Sequence, residues 1–96
     1  MSFRLKVLII GCGSIGRRHA RNAIDLGAEV VLCDLNIQRM KEFSGPLGIT
    51  DYYTDYQTAI AKSGANVAVV ATPNNFHFEP AKALVQQGIP VLMEKP

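Results

Sequence analysis

The amino-acid sequence predicts an α/β fold in which an open, doubly wound parallel sheet carries helices on both faces. Short apolar runs alternate with segments of helical periodicity, in the order β-α-β-α-β-α-β-α-β. The segments between successive apolar runs are too long for hairpin turns, so the strands are expected to pair in parallel through right-handed crossovers. A glycine-rich turn follows the first run, as is typical of such sheets. The expected strand order is 3-2-1-4-5.

The first half of the chain is expected to hold three strands and two helices. The strands are predicted at residues 5–10, 29–33 and 51–53, and the helices at residues 14–26 and from a cap at Asn36 to about residues 44–46. Gly27 is expected to end the first helix, because glycine readily adopts the positive φ of that position. Small and apolar residues repeat along the inner face of this helix, namely Gly16, Ala20, Ala23 and Ile24.

The second half is expected to add two helices and two strands. A third helix begins at a cap, either Thr54 or Asp55, and ends near residues 62–64; the fourth strand covers residues 67–71. The fourth helix is predicted at residues 76–87, capped by Asn75, and the fifth strand at residues 90–93. Pro80 falls near the start of the fourth helix, where a missing N–H is tolerated.

Length and composition describe one ordinary globular domain. The chain has 96 residues, of which 48% are hydrophobic and 19% charged, with a net charge of +2. Its lysines and arginines are scattered and form no basic stripe interleaved with aromatic residues, so no nucleic-acid partner is expected. The sequence lacks both a signal-peptide pattern and an apolar run of about 18 residues, which a membrane span requires. A cytoplasmic protein without a membrane partner is therefore predicted.

The two cysteines, Cys12 and Cys33, are too few for a disulfide framework or a metal site. Each falls at the end of a predicted strand, and the two strands are expected to be neighbours. A bridge between the cysteines is conceivable, but reduced packing residues are the favoured interpretation. No bound metal is expected.

A Gly-x-Gly-x-x-Gly pattern at Gly11, Gly13 and Gly16 is the most informative feature of the sequence. Glycines after a buried strand let the backbone turn sharply, approach a pyrophosphate and pack a helix closely on the sheet. The new helix begins at Ser14. The free N–H groups of its first residues, Ser14 and Ile15, and the positive end of its dipole therefore face that phosphate. The pattern predicts a Rossmann fold that binds a dinucleotide. A glycine turn without a ligand and a site for S-adenosylmethionine are the alternatives.

Asp34 stands at the end of the second predicted strand. Its carboxylate is placed to accept hydrogen bonds from the adenosine ribose and would repel a 2′-phosphate, so NAD is favoured over NADP as the cofactor. Arg39 weakens the preference for NAD if its side chain folds back towards Asp34. Otherwise Arg39 lies on an exposed face of the second helix.

Polar residues also follow the fourth and fifth strands, near the point where the strand order reverses. Ligands of doubly wound sheets bind there, outside the carboxyl ends of the strands. The turn Thr72, Pro73 and Asn74 is therefore expected to face the cofactor; a plain turn is the alternative.

The next residues along the chain are candidates for the nicotinamide side of the cofactor. His77 is expected to line this side, although a structural histidine fits its position equally well. Glu94 and Lys95 follow the fifth strand, where the lysine is placed to contact substrate or nicotinamide. A charged strand terminus is the alternative for this pair.

Three basic residues follow the glycine pattern. Arg17 and Arg18 oppose the helix dipole by roughly a few tenths of a kcal/mol each, which a bound pyrophosphate would offset. A solvated surface also explains both arginines. His19 is interpreted as a packed or exposed histidine rather than a catalyst, because the sequence places no carboxylate beside it.

Together these segments resemble the N-terminal domain of the glucose–fructose oxidoreductase / inositol dehydrogenase (Gfo/Idh/MocA) family. The resemblance covers essentially the whole chain and is carried by residues 11–19, Asp34, residues 71–74 with His77, Gly88, and residues 94–96. It implies an NAD(P)-dependent oxidoreductase that acts on sugars, polyols or nucleotide sugars. It also implies that the turn at residues 72–74 contacts the cofactor and that Lys95 is the catalytic residue that assists proton transfer.

Members of this family continue into an α/β substrate domain that carries a catalytic His or Asp and the dimer surface. Residues 1–96 are therefore expected to form the dinucleotide-binding domain alone, to bind NAD without turnover, and to meet a small carbohydrate only together with the missing domain. A stand-alone nucleotide-sensing module is the alternative. The open sheet edge beside Val91, Leu92 and Met93 is expected to promote self-association.

Overall fold

Five strands alternate with four helices in the computed structural model, which describes residues 5–72 and 78–94. The elements are β1 (Lys6–Ile10), α1 (Ser14–Asp25), β2 (Glu29–Cys33), α2 (Ile37–Leu47), β3 (Tyr52–Tyr53), α3 (Tyr56–Lys62), β4 (Val67–Val70), α4 (Phe78–Gln86) and β5 (Val91–Met93). β2 has the expected bounds, and each of the other strands differs from the expected ones by one residue at one end, as is usual for element ends.

The strands form one sheet in the order β3-β2-β1-β4-β5, and every neighbouring pair is parallel. The predicted fold class and strand order are thus confirmed. Ile10 at the end of β1 lies level with Cys33 of β2 and with Val70 of β4. Because these three strands end together, the chain segments that leave them meet at one edge of the sheet, where the strand order reverses.

Both faces of the three central strands, β2, β1 and β4, are largely buried, as expected for parallel strands covered by crossover helices. Side chains alternate between two clusters because successive residues of a strand point to opposite faces. On one face Leu32 of β2 packs with Met40 of α2 and Ala20 of α1. On the other face Leu8 of β1 packs with Leu84 of α4, together with residues of α3.

Side-chain caps determine where α2 and α3 begin. Asn36 Oδ1 accepts a hydrogen bond from the N–H of Arg39 at 3.1 Å, as predicted. Asp55, rather than Thr54, caps α3: its carboxylate accepts from the Thr58 hydroxyl at 2.7 Å and from the Thr58 N–H at 3.0 Å. These bonds, the hydroxyl first, lower the pKa of Asp55. The expected cap of α4, Asn75, lies outside the described residues.

The end of α2 lies one residue beyond the predicted range of 44–46. The helix continues to Leu47 with Pro46 in its last turn. Leu47 is half-buried against the first cluster, and this packing favours the additional helical residue despite the missing N–H of proline. Gly48 then ends the helix at φ +72, and the following Ile49 N–H bonds to the Ser44 carbonyl at 2.8 Å.

None of the helices within residues 5–72 and 78–94 combines the length and apolar character that crossing a bilayer requires.

Candidate functional site

The candidate site is built on the glycine loop, which we define as residues 11–13 between β1 and α1. Gly11 has a φ of +98°, which L residues rarely adopt. A Cβ atom at Gly11 would also lie 2.7 Å from the carbonyl carbon of Ala71 and 2.7 Å from the nitrogen of Thr72. The glycine loop therefore contacts the chain that leaves β4 through main-chain atoms. This is the juxtaposition that the predicted strand reversal requires.

Gly16 lets α1 pack directly on the glycine loop. A Cβ atom at Gly16 would lie 1.9 Å from the carbonyl oxygen of Gly11, a distance that no side chain can occupy. Because the oxygen belongs to the main chain, it has little freedom to move away. The position and direction of α1 are thus fixed by the absence of a side chain at Gly16.

The N-terminus of α1, in contrast, is open. Gly13 is the N-cap, and no side chain forms a capping hydrogen bond there. An ideal Cβ at Gly13 would meet no heavy atom of the described residues within 4 Å. Ser14 and Ile15, the next two residues, are both exposed. Free N–H groups beside open space, at the positive end of a helix dipole, form a site that suits a diphosphate.

Asp34 links the glycine loop to the turn after β2. Its Oδ2 accepts a hydrogen bond from the N–H of Cys12 at 2.7 Å, and its Oδ1 accepts from the N–H of Asn36 at 2.8 Å. The Asp34 side chain is 11% exposed. A carboxylate oxygen can accept two hydrogen bonds, so Oδ1 has capacity for a ribose hydroxyl, whereas Oδ2 also lies beside Arg39. Asp34 thereby has a structural role that the sequence analysis did not include.

Arg39 folds back onto Asp34. Its Nη1 lies 3.5 Å from Asp34 Oδ2, although nearly half of the arginine side chain is exposed. Of the two orientations that the sequence left open, the structure has the one that offsets the negative charge of the carboxylate. The arginine is half-exposed and the contact is long, so we expect the ion pair to affect the charge near the carboxylate more than the stability of the fold.

Thr72 brings a buried hydroxyl to the same edge. Its Oγ1 is buried and has no hydrogen-bond partner within the described part of the chain. A buried hydroxyl without a partner costs roughly 1–3 kcal/mol, so such groups are rare and commonly meet a ligand or water. With open space above Gly13 and the Asp34 carboxylate nearby in the fold, these residues fit a dinucleotide. The other predicted residues of this edge, Pro73, Asn74, His77 and Lys95, lie outside the described residues.

Arg17 faces α2 instead of the open N-terminus of α1. Its guanidinium carbon lies 5.0 Å from the centre of the Phe43 ring, and its Nη2 lies 3.9 Å from Glu42 Oε2. Arg18 is exposed. Arg17 thus stabilises the contact between the two helices through a cation–π interaction.

His19 has a carboxylate partner that the sequence analysis missed. Its Nε2 donates a hydrogen bond to Oε1 of Glu94, the residue that follows β5. The partners are 75 positions apart, so spacing gave no signal. The strand order did contain a signal. β4 lies between β1 and β5, and α1 packs on β4. A polar residue one turn into α1 is thereby brought within reach of the end of β5.

Both cysteines are buried free thiols, so no bridge forms between them. Cys12 packs in the first cluster and Cys33 in the second, on opposite faces of the sheet. Burial raises the pKa of each thiol to about 12. They are packing residues, as the sequence analysis favoured. Within residues 5–72 and 78–94, no three His, Cys, Asp or Glu side chains are grouped so that they hold a metal ion.

The tight glycine loop, the open helix N-terminus and the carboxylate at the end of β2 define a dinucleotide-binding Rossmann domain. Residues 5–96 match the family GFO_IDH_MocA, described as "Oxidoreductase family, NAD-binding Rossmann fold". The chain belongs to this family, which confirms the resemblance seen in the sequence.

Individual relatives agree with this assignment. An inositol 2-dehydrogenase from Renibacterium salmoninarum is 30% identical over 96% of this chain and 28% of its own length. The crystal structure of myo-inositol 2-dehydrogenase from Lactobacillus plantarum has a TM-score of 0.89 and 29% identity, covering 98% of this chain and 29% of that one. The WlbA dehydrogenase from Bordetella pertussis, crystallised with NADH and UDP-GlcNAcA, has a TM-score of 0.86 and 28% identity, with coverage of 98% and 29%. The chain thus spans less than a third of each relative.

We expect Gly16→Ala to destabilise the domain by more than about 2 kcal/mol, because the new methyl group overlaps a main-chain oxygen and α1 must move. Gly45→Ala is the matched control. Gly45 lies in α2 at ordinary φ with open space around it, so alanine there raises stability by up to about 1 kcal/mol. Urea unfolding of both variants measures the difference; equal midpoints would contradict the close packing of α1 on the loop.

Proposed function

We propose that this chain binds NAD(H) at the glycine loop and serves as the dinucleotide-binding domain of a sugar or polyol dehydrogenase. The reaction is hydride transfer between the nicotinamide and a hydroxyl-bearing carbon of a sugar, polyol or nucleotide sugar. The observation that carries the proposal is the uncapped N-terminus of α1, open above Gly13 and flanked by Asp34 and Thr72. The names of the relatives, inositol dehydrogenases and a dehydrogenase crystallised with a nucleotide sugar, support this substrate class.

In this proposal each group of the site has a separate role. The main-chain N–H groups at Gly13, Ser14 and Ile15 bind the diphosphate. Asp34 accepts a hydrogen bond from the adenosine ribose through the remaining capacity of its carboxylate, and Thr72 offers its buried hydroxyl to the cofactor. The bound nicotinamide supplies the hydride acceptor.

The proposed proton-transfer residue is Lys95. It follows Glu94 in the sequence, at the carboxyl end of β5, and its role is carried over from the family resemblance. The reaction needs a proton acceptor because oxidation of a hydroxyl releases both a hydride and a proton. The turn residues Pro73 and Asn74, together with His77, are proposed to contact the cofactor on the same basis.

NAD is the proposed cofactor, with NADP as the weaker ligand. A 2′-phosphate on the ribose would lie beside the Asp34 carboxylate, and like charges at short range repel each other. Arg39 reduces this repulsion, since its guanidinium lies 3.5 Å from the carboxylate. The preference for NAD is therefore expected to be moderate.

Titration calorimetry with NADH and NADPH tests the site directly. We expect NADH to bind at least about tenfold more tightly than NADPH, a difference of about 1.4 kcal/mol. Arg39→Ala is expected to weaken NADPH severalfold and to leave NADH within about twofold, because it removes the charge that offsets Asp34.

In the same experiment, Gly13→Ala is expected to keep its urea midpoint but to bind NADH at least about tenfold more weakly, because its methyl group occupies the diphosphate space. Gly45→Ala, which also adds a methyl group in open space but on α2, is the control for binding. Full NADH affinity in Gly13→Ala, or no saturable heat with wild-type protein, would contradict the proposed site.

We propose that residues 1–96 bind the cofactor without turning over a sugar by themselves. The relatives extend well beyond the matched region, which amounts to 28–29% of their length. Steady reduction of NAD by the purified 96-residue chain with myo-inositol would refute this.

A nucleotide-sensing module without a reaction remains the alternative. It would be favoured if the complete protein bound NADH but did not reduce NAD with any polyol or sugar tested. A cytoplasmic location is also proposed, and fractionation of the host cell tests it.

Self-association through β5 is the remaining part of the proposal. β5 pairs with β4 and, among the described strands, with no other; Leu92 is 52% exposed and Met93 45%. An unpaired strand edge with exposed apolar side chains promotes pairing with a second copy. We expect sedimentation to detect dimers at millimolar concentration and Leu92→Ser to reduce them severalfold. Leu26→Ser, which alters an exposed leucine after α1, is the control. A monomeric wild-type chain would exclude the idea.

A further inference from the structure

We propose that His19 is a positioning residue: through Glu94 it holds the carboxyl end of β5 in place relative to the glycine loop. The inference rests on the proposed function, because it concerns how the glycine loop and the end of β5 keep their relative positions in one dinucleotide site. Its physical basis is the hydrogen bond from His19 Nε2 to Glu94 Oε1.

Glu94 is held from two directions. Its main-chain N–H donates to the carbonyl of Val70 at 3.0 Å, which continues the pairing of β5 with β4. Its side chain reaches His19 on α1, across the neighbouring strand. The two side chains are 21% and 27% exposed, so solvent screens their interaction less than it screens a surface pair. Main chain and side chain together leave Glu94 little freedom.

His19 is a suitable anchor because α1 packs closely on the sheet and the glycine loop. It lies three residues after Gly16, whose contact with the Gly11 carbonyl fixes the helix on the glycine loop. The next residue, Ala20, is completely buried in the first cluster. A displacement of the His19 main chain would therefore require α1 to move away from the glycine loop, which is proposed to bind the diphosphate.

The consequence concerns the residue that follows. Lys95 comes directly after Glu94, and consecutive Cα atoms are 3.8 Å apart, so the position of Glu94 determines where the chain to Lys95 begins. Misplacement of a reacting group by about 1 Å can cost roughly a hundredfold in rate. The hydrogen bond thus couples the part of the domain that binds the diphosphate to the part that carries the proposed proton-transfer residue.

The test compares three variants of the complete protein, in the length in which it occurs naturally. His19→Leu removes the hydrogen bond while filling much of the same volume. His19→Gln keeps a side-chain N–H donor that can reach Glu94. Arg21→Leu changes an exposed residue of the same helix and is the control.

Amide hydrogen exchange is the first readout, and it needs neither cofactor nor substrate. In His19→Leu we expect the Glu94 amide to exchange at least about tenfold faster, while amides of β1 and β2 keep their rates. NADH affinity, measured by calorimetry, should stay within about threefold of wild type. With NAD and myo-inositol as the probe substrate, kcat should fall by about 10- to 100-fold. His19→Gln should recover most of the exchange protection and of kcat.

Each outcome has a distinct meaning. Exchange at Glu94 within twofold of wild type in His19→Leu overturns the proposal, as does a His19→Gln variant that behaves like His19→Leu. An NADH affinity that falls as much as kcat also overturns it, because His19 would then stabilise the whole site rather than position one end. If wild-type protein fails to bind NADH, the proposed function fails. If wild-type protein is inactive on myo-inositol, the exchange and rescue comparison still decides the proposal.

Discussion

The close approach of α1 to the glycine loop is the constraint on which the rest of the site depends. Gly16 and Gly11 meet where no side chain fits, and Gly11 meets the end of β4 in the same way. Contacts between main-chain atoms cannot be relieved by rotamer changes, so they fix geometry more strictly than side-chain packing does. They fix the direction of the helix dipole, the open space above Gly13 and the place from which His19 reaches across the sheet.

The charges around this rigid centre are distributed in a way that suits an anionic ligand. Arg17 is engaged by Phe43 and Glu42 on α2, so the N-terminus of α1 itself contributes the positive potential through its amides. Asp34 places a negative charge near this anion site, but the Cys12 N–H and Arg39 each offset part of it. The Asp34 carboxylate consequently stabilises the two turns through its hydrogen bonds with Cys12 and Asn36. It can also accept a hydrogen bond from a hydroxyl group, which carries no charge.

The elements that carry strong local signals could be predicted from the sequence. Periodicity and turn residues predicted the strand order, the glycine loop and the cap at Asn36, because each depends on neighbouring residues or on general rules of chain connection. The contacts of Arg17 with Phe43 and of His19 with Glu94 were missed. They join side chains that are distant in sequence and depend on the exact register of packed elements. The end of α2 lies one residue beyond its predicted range, because the burial of Leu47 depends on packing that local pattern does not show.

The central claim is that main-chain amides at the start of α1 hold a diphosphate while Asp34 holds the adenosine ribose. A crystal structure of the protein grown with NADH measures this most directly. The account predicts diphosphate oxygens within about 3.2 Å of the N–H groups beside Gly13, and a ribose hydroxyl at hydrogen-bond distance from the Asp34 carboxylate. A nucleotide that lies elsewhere on the sheet, or whose ribose lies away from Asp34, would contradict it.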